Sequence, residues 1–448
     1  MKYCLVSLGC QMNTSDAERV SSVLESLGFE HTDSEEDAAI LGLVACSVRQ
    51  RAIDRAYAKI DKWNSWKNRR SLLTFLTGCV LPADKERFLK RFDFFFPINE
   101  LPDLPEMITR YGVVTEAGLK VRVEDAVPLE SHDDERKGFW RINPAYGSDF
   151  EAFVPIQNGC DKFCSFCAVP YTRGREVSRP SGEILEEVKK LIGLEYKTIT
   201  LLGQNVNSYG LDRQSDEICF ASLLEKIGEI GSRMGNDFWV YFTSPHPKDM
   251  TREVIEVISG YDCLGKQIHL PLQSGDDEVL KRMNRNYSVE KYRESVTNIR
   301  TLIPEATLFT DIIVGFPGET DEQFEKSRAA MIEFQYNMAY IAMYSPRPGA
   351  KSAKWDDDIP HEEKKRRLHE LSSELKIMSR KYNEGMIGKT YKILVMGHDR
   401  KPGYLSGKTE GLLIVRFASD NDALIGEFVD VKISSAADMS VEGVLVGE

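Results

Sequence analysis

The chain has 448 residues, 42% hydrophobic and 29% charged, with a formal net charge of -12. That length exceeds one ordinary core and predicts two to four globular domains, and no apolar run approaches the roughly 20 residues of a membrane span. The acidic balance offers no general attraction to a polyanion, so any nucleic-acid contact must come from local patches. The start, MKYCLVSLG, lacks the apolar core and cleavage site of a secretory signal, which makes the expected compartment the cytoplasm. There, nine cysteines are read as metal ligands or reactive thiols sooner than as disulfides.

One design occurs three times in the first 100 residues. The runs 3–10 (YCLVSLGC), 38–46 (AAILGLVAC) and 71–79 (SLLTFLTGC) read as buried strands, and each is followed by a segment of helical periodicity. Short apolar runs alternating with helices predict βαβ units and a parallel sheet, a Rossmann-like domain over 1–112. Cys10, Cys46 and Cys79 stand at the carboxyl ends of the three strands. Parallel strands share that edge, where open α/β sheets bind ligands, so the three thiols are expected to converge. Cys4, Cys219 and Cys263 have no ligand-like spacing and are expected in the core. Residues 113–145 are polar and weakly periodic and read as a linker.

The stretch IQNGCDKFCSFCAVPYTRGREVSRP places Cys160, Cys164 and Cys167 in one tight loop. Three thiolates so spaced suit a soft metal. A structural zinc would want a fourth ligand nearby, whereas three ligands on a [4Fe–4S] cube leave one iron open. C-x3-C-x2-C with an aromatic before the last cysteine resembles the signature of radical S-adenosylmethionine enzymes. The resemblance implies that the open iron holds the methionine moiety and that Phe166 lies near the adenine.

From 146 to 382 strands and helices alternate, six repeats in all, which suits a partial (β/α)6 barrel. The run 181–196 predicts a helix capped by Ser181. Gln204, Asn205, Ser244 and Gln273 follow strands, at the face where barrel sites assemble, and are expected to touch cofactor or substrate. Residues 386–448 alternate apolar and polar with Gly-rich turns, predicting a small antiparallel β-barrel. Ahead of it, residues 361–382 read as a helix with a basic face: Lys364, Lys365, Arg366, Arg367, Arg380 and Lys381.

The whole α/β chain resembles the methylthiotransferase family of radical S-adenosylmethionine enzymes, with its N-terminal cysteine domain, radical barrel and C-terminal TRAM domain. ACSVRQ, CAVPYTRGREVSRP, LLGQNVNSYG, TSPHP, LPLQSG, IVGFPGET and YSPRPG place it closest to the MiaB branch. That resemblance implies methylthiolation at C2 of N6-isopentenyladenosine-37 in the tRNA anticodon loop. Two other targets stand beside it: threonylcarbamoyladenosine-37, and an aspartate of ribosomal protein S12. A non-catalytic iron–sulfur or zinc sensor is the reading from another class.

The resemblance also implies two [4Fe–4S] clusters, one on Cys160, Cys164 and Cys167 and an auxiliary one on Cys10, Cys46 and Cys79. It implies S-adenosylmethionine as cofactor, a flavodoxin- or ferredoxin-type electron donor, a sulfur donor and a monomer, with no catalytic side chains beyond the cluster cysteines. An aromatic C–H has no acidic proton, so the cofactor and not an acid–base pair must do this chemistry. The TRAM region is expected to meet RNA, yet residues 388–448 hold 7 Lys/Arg against 9 Asp/Glu. RNA contacts are therefore expected from Arg173, Arg175, Arg179, Arg282 and Arg285, and from Lys408 of the GKTE stretch, where the family often carries arginine.

Overall fold

The computed structural model describes residues 1–46, 50–111, 135–213 and 216–447. Met1–Gly147, with Ala168–Arg175 and Arg347–Gly349, makes one unit; the remainder makes a second.

The first unit runs β1 (Lys2–Leu8), α1 (Gln11–Ser26), β2 (Glu30–His31), β3 (Ile40–Cys46), α2 (Gln50–Lys67), β4 (Leu73–Cys79), α3 (Pro82–Leu89), β5 (Phe94–Phe95), α4 (Leu104–Tyr111) and α5 (Glu135–Trp140). Its sheet is parallel throughout, in the order β2-β1-β3-β4-β5. β3 and β4 are buried from end to end, as in a sheet covered on both faces; β3 is apolar throughout and β4 carries the uncharged Thr74 and Thr77. The two-residue strands β2 and β5 are too short to show a period in the sequence. In this strand order the chain reverses direction of winding between β1 and β3, and ligands sit in the crevice outside the strand ends there. Cys10 follows β1, and Cys46 ends β3 in register with Cys79 at the end of β4.

Of the expected linker, residues 113–134 lie outside the described residues. Residues 135–140 instead form α5, which carries Phe139 and Trp140 into the core beside Tyr3, Val20 and Phe75. The charges around these two aromatics mask them in the sequence. A short helix, α6 (Val169–Arg173), also belongs to this unit.

The second unit opens with β6 (Glu151–Pro155) and a small antiparallel pair, β7 (Gln157–Asn158) with β8 (Val177–Ser178). It continues through α7 (Ser181–Gly193), β9 (Thr198–Leu202), α8 (Phe220–Met234), β10 (Trp239–Phe242), α9 (Arg252–Gly260), β11 (Gln267–His269), α10 (Asp277–Arg282), α11 (Val289–Leu302), β12 (Thr307–Val314), α12 (Asp321–Phe334) and β13 (Met338–Met343). The parallel strands form two three-stranded sheets, β6-β9-β10 and β11-β12-β13, joined by a bridge between Val240 and Leu264. Six strands alternate with helices, as the sequence predicts. The cap of α7 differs: Pro180 holds that position, and Ser181, already helical, donates its N–H to Glu217.

After α13 (His361–Glu384), strands β14 (Thr390–His398), β15 (Tyr404–Thr409), β16 (Ile414–Ala418), β17 (Phe428–Ala436) and β18 (Val441–Leu445) close a barrel in the order β14-β15-β16-β18-β17. The pairing β16–β18 is parallel and the others are antiparallel. This barrel docks on the amino-terminal ends of the larger barrel's strands. Trp239 meets Phe428 with ring centroids 4.6 Å apart, Tyr241 donates to the Glu410 carbonyl at 2.8 Å, and Thr307 donates to the Gly411 carbonyl at 2.7 Å. The carboxyl-end mouth is thereby left clear of it.

Candidate metal centres and the barrel mouth

In the first unit one side chain organises the thiols. Asn13 is wholly buried; its Oδ1 accepts from the Cys10 N–H at 3.2 Å and lies 3.6 Å from Cys10 Sγ. Its Nδ2 donates to the Ala45 carbonyl at 3.3 Å and reaches Cys79 Sγ at 3.9 Å. Glycine precedes two of the cysteines for a steric reason. A Cβ at Gly9 would fall 2.0 Å from Asn13 Oδ1, and one at Gly78 (φ +105°) only 2.5 Å from the Ala45 carbonyl oxygen. Arg173, expected at the RNA, is buried here instead: its Nε donates to Cys79 Sγ at 2.9 Å while its two terminal nitrogens clasp the buried Asp16. Cys10 is exposed at the sheet edge, yet desolvation by the surrounding chain raises its thiol above the ordinary pKa; a shared hydrogen bond with Cys46, then burial, raises Cys79. A metal binding here must displace protons and supply the charge that keeps thiolates ionised.

In the second unit Cys160 and Cys164 are buried and Cys167 is half-buried, all at the carboxyl end of β6. Burial pushes the Cys160 thiol up to about 11. The Ser165 hydroxyl donates to the Arg282 carbonyl and its N–H to the Met283 carbonyl, which ties the loop to the end of α10. Asn284 grips the same loop by donating to the carbonyls of Lys162 and Phe163. Phe166 packs edge-on against Phe316, ring centroids 6.5 Å apart, beside Val279 and Met283.

All nine cysteines are free thiols. Among the described residues no three Cys, His, Asp or Glu side chains stand in the geometry of a single bound ion. Three thiolates per set leave a tetrahedral structural zinc one ligand short, whereas a cube can take one thiolate at each of three corners, so the donor sets suit a cluster.

The barrel mouth carries a second signature. Gln157, Asn205, His246 and Gln273 follow the ends of β6, β9, β10 and β11. Gln157 Oε1, Asn205 Oδ1, His246 Nε2 and Gln273 Oε1 are buried with no hydrogen-bond partner among the described residues. Burial pushes the His246 ring down to about 2, so it is neutral; Nδ1 accepts from the Lys248 N–H, which leaves the proton on Nε2. Three acceptors and one donor on successive strand ends fit a ligand rich in amino and hydroxyl groups.

Asn205 and Gln273, expected at this face, are among the four. Gln204 is spent inside the protein, accepting from the Gly159 N–H at 2.5 Å, and Ser244 is exposed with φ +56°. Gln157 and His246 were missed, although each follows an apolar run as directly as Asn205 does. Glu176 is buried behind them, takes a hydrogen bond from the Ser208 hydroxyl, and is pushed up to about 7 by burial.

Residues 154–330 match the Radical SAM superfamily, residues 2–96 the uncharacterized protein family UPF0004, and residues 384–446 the TRAM domain. Over 449 positions the chain is 37% identical to the tRNA-2-methylthio-N(6)-dimethylallyladenosine synthase of Clostridium botulinum (strain Langeland), covering 99% of this chain and 96% of that protein. The synthase of Bacillus velezensis is 37% identical over 454 positions, covering 100% and 86%. The chain belongs to this family of synthases. It is thus an enzyme of the radical S-adenosylmethionine class, which works with [4Fe–4S] iron and S-adenosylmethionine, and the sensor reading falls away. Among solved structures, the radical S-adenosylmethionine methyltransferase TsrM of Kitasatospora setae shares the fold with a TM-score of 0.53 at 13% identity, covering 90% of this chain and 77% of that one. The apo cobalamin-dependent radical enzyme OxsB does so with a TM-score of 0.53 at 15% identity, covering 74% and 51%.

The family's expected RNA contacts are redistributed by the fold. Arg173, Arg179 and Arg285 are buried and bonded internally, Arg179 to Glu183 and Glu187, so their placement does not support contact with RNA. Arg282 is half-buried and donates to Gln323. Arg175 is exposed and Lys408 half-exposed on β15. The basic face of α13 is largely neutralised: Lys364 pairs with Asp357, Arg366 and Arg367 with Glu363 and Asp321, and Arg380 with Glu384 and Asp438. Lys381 has no carboxylate partner among the described residues. It lines a groove of about 380 Å³ with Arg300, Lys389, Tyr382 and Tyr391, and no acidic side chain lines that groove. Cys219, expected in the core, is exposed at the cap of α8.

Proposed function

We propose that this chain installs a methylthio group at C2 of N6-isopentenyladenosine-37 in tRNA. Near-full-length identity to synthases named for that product carries the reading, and the two cysteine triplets supply the donors it needs. Cys160, Cys164 and Cys167 would hold the cluster that faces S-adenosylmethionine; Cys10, Cys46 and Cys79 would hold the auxiliary cluster. When bound, these groups supply hydrogen abstraction from an unactivated aromatic carbon and a methylated sulfur.

The chain's own residues then position and shield. Asn13 and the glycines before Cys10 and Cys79 set where those thiols point. Gln157, Asn205, His246 and Gln273 would pair with the polar groups of S-adenosylmethionine, and Phe166 would cover its adenine. Position 37 lies in a single-stranded loop, so its base enters such a site without opening a duplex. Arg175 and the groove of Arg300, Lys381 and Lys389 would meet phosphates. A one-electron donor of the flavodoxin or ferredoxin type, a sulfur donor, a cytoplasmic setting and a monomeric chain complete the proposal. No helix among the described residues is long and apolar enough to cross a membrane.

Anaerobic reconstitution with isopentenylated tRNA tests it. About eight irons per chain are expected from two cubes. Cys10→Ala should retain S-adenosylmethionine cleavage while losing the methylthio product. Product on threonylcarbamoyladenosine or on a ribosomal protein, with isopentenyladenosine unchanged, would overturn the choice of substrate.

A further inference from the structure

Each cysteine triplet has one buried arginine on it, and the two differ in charge. At Cys79, Arg173 is clasped by Asp16, so the guanidinium and carboxylate cancel. At Cys164, Arg285 stands alone. It is buried, and its Nη1 donates to Cys164 Sγ at 3.4 Å, its Nη2 to the Pro271 carbonyl at 3.2 Å and its Nε to the Tyr287 hydroxyl at 3.3 Å. That hydroxyl is itself a donor, to the Leu272 carbonyl at 2.6 Å, and the Tyr287 ring lies under the guanidinium at 5.3 Å. No carboxylate pairs with Arg285 among the described residues. His246, whose ring packs against Tyr287, is neutral.

A full positive charge taken out of water needs a counter-charge, and dipoles alone repay little of its desolvation. Of the groups touching Arg285, Cys164 is the one that becomes an anion when it ligates a metal. We propose that Arg285 is a positioning residue that balances the charge of the cluster on Cys160, Cys164 and Cys167 and raises its reduction potential. The inference rests on the reading of that triplet as cluster-bearing. A cube with three thiolates carries one net negative charge when oxidised and two once a single electron arrives from a low-potential donor. No proton moves and no bond breaks. A fixed cation beside one thiolate favours the reduced member of that couple, as hydrogen bonds and charge around cluster sulfurs are known to do. Arg173, neutralised by Asp16, exerts far less of this at Cys79.

The test uses the full chain with Cys10, Cys46 and Cys79 replaced by Ala, so that a single cluster remains, titrated with dithionite and followed by electron paramagnetic resonance. R285Q should still bind about four irons and show a reduction equilibrium at least tenfold less favourable, about 59 mV lower for one electron. R285K, which keeps the charge, should recover most of that shift. R173Q should leave this potential unchanged. An R285Q protein with full iron and the parental potential overturns the proposal. If R285Q binds no iron, R285K decides: loading by R285K supports charge balance, whereas failure of both in a folded chain overturns it. A parent that binds no iron at all refutes the cluster reading itself, a result distinct from either.

Discussion

Gly9→Ala offers a sharp test of how the first thiol triplet is held. The added methyl would lie 2.0 Å from Asn13 Oδ1, 2.7 Å from Asn13 Cγ and 3.0 Å from Cys46 Cβ, so the Asn13 side chain must leave its place. Gly9 is absent from the positive-φ positions, so the cost comes from collision and not from backbone strain. Displacing Asn13 forfeits its bonds with the Cys10 N–H and the Ala45 carbonyl, about 1 kcal/mol each. It also leaves a wholly buried amide unsatisfied, a further 1–3 kcal/mol, for a total of about 4 kcal/mol. The chain has two units and need not unfold in one step, so hydrogen exchange of β1 and α1 is the suitable stability assay. Iron binding by a variant lacking Cys160, Cys164 and Cys167 reports on the triplet itself, and it should fall steeply. In an Asn13→Ala background the same Gly9→Ala change should cost less than about 1 kcal/mol, because the severe collision is gone and only the Cys46 Cβ contact at 3.0 Å remains. Parental iron content and exchange in the single variant would show that Asn13 does not position these thiols.

Gly78→Ala should be worse than Gly9→Ala and should not be rescued by Asn13→Ala, because its Cβ meets the Ala45 backbone at 2.5 Å and φ is +105°; equal rescue of both would contradict this. Glu176, held near 7 by burial against an ordinary value near 4.5, keeps a proton in the folded chain that the unfolded chain releases. Stability of the second unit should therefore fall as pH rises from about 4.5 to 7, by up to about 3 kcal/mol, and Glu176→Gln should flatten that slope in pH-dependent hydrogen exchange. Replacing both Lys381 and Lys389 with Glu should weaken tRNA binding and lower its salt dependence, measured by filter binding at several ionic strengths; an unchanged affinity would remove this groove from the RNA path.

Much of this molecule is written locally. The runs ILGLVAC and LTFLTGC are strands because they are uncharged, mostly apolar and rich in strand-forming residues, and a cysteine at each strand end follows from counting along the chain. The spacing of Cys160, Cys164 and Cys167 sets all three on one short loop whatever surrounds them. Asn13 stands three residues past Cys10, where a side chain reaches back over the first turn of a helix, so even the organiser of the first triplet was within reach of the sequence.

The fates of the arginines were not. Arg173, Arg175 and Arg179 occupy one short stretch and look alike in sequence. Tertiary packing buries the first against Asp16 and Cys79, leaves the second exposed, and ties the third to α7. A buried charge is held by what lies across from it, and that partner, 157 residues away for Arg173 and Asp16, comes from elsewhere in the chain. The same holds for the orphaned atoms at the barrel mouth, which share a rim only because four strands end side by side. Sequence named the residues proposed to carry the chemistry; tertiary structure decided which of their charges are buried against partners and which polar atoms stand unsatisfied at the barrel mouth.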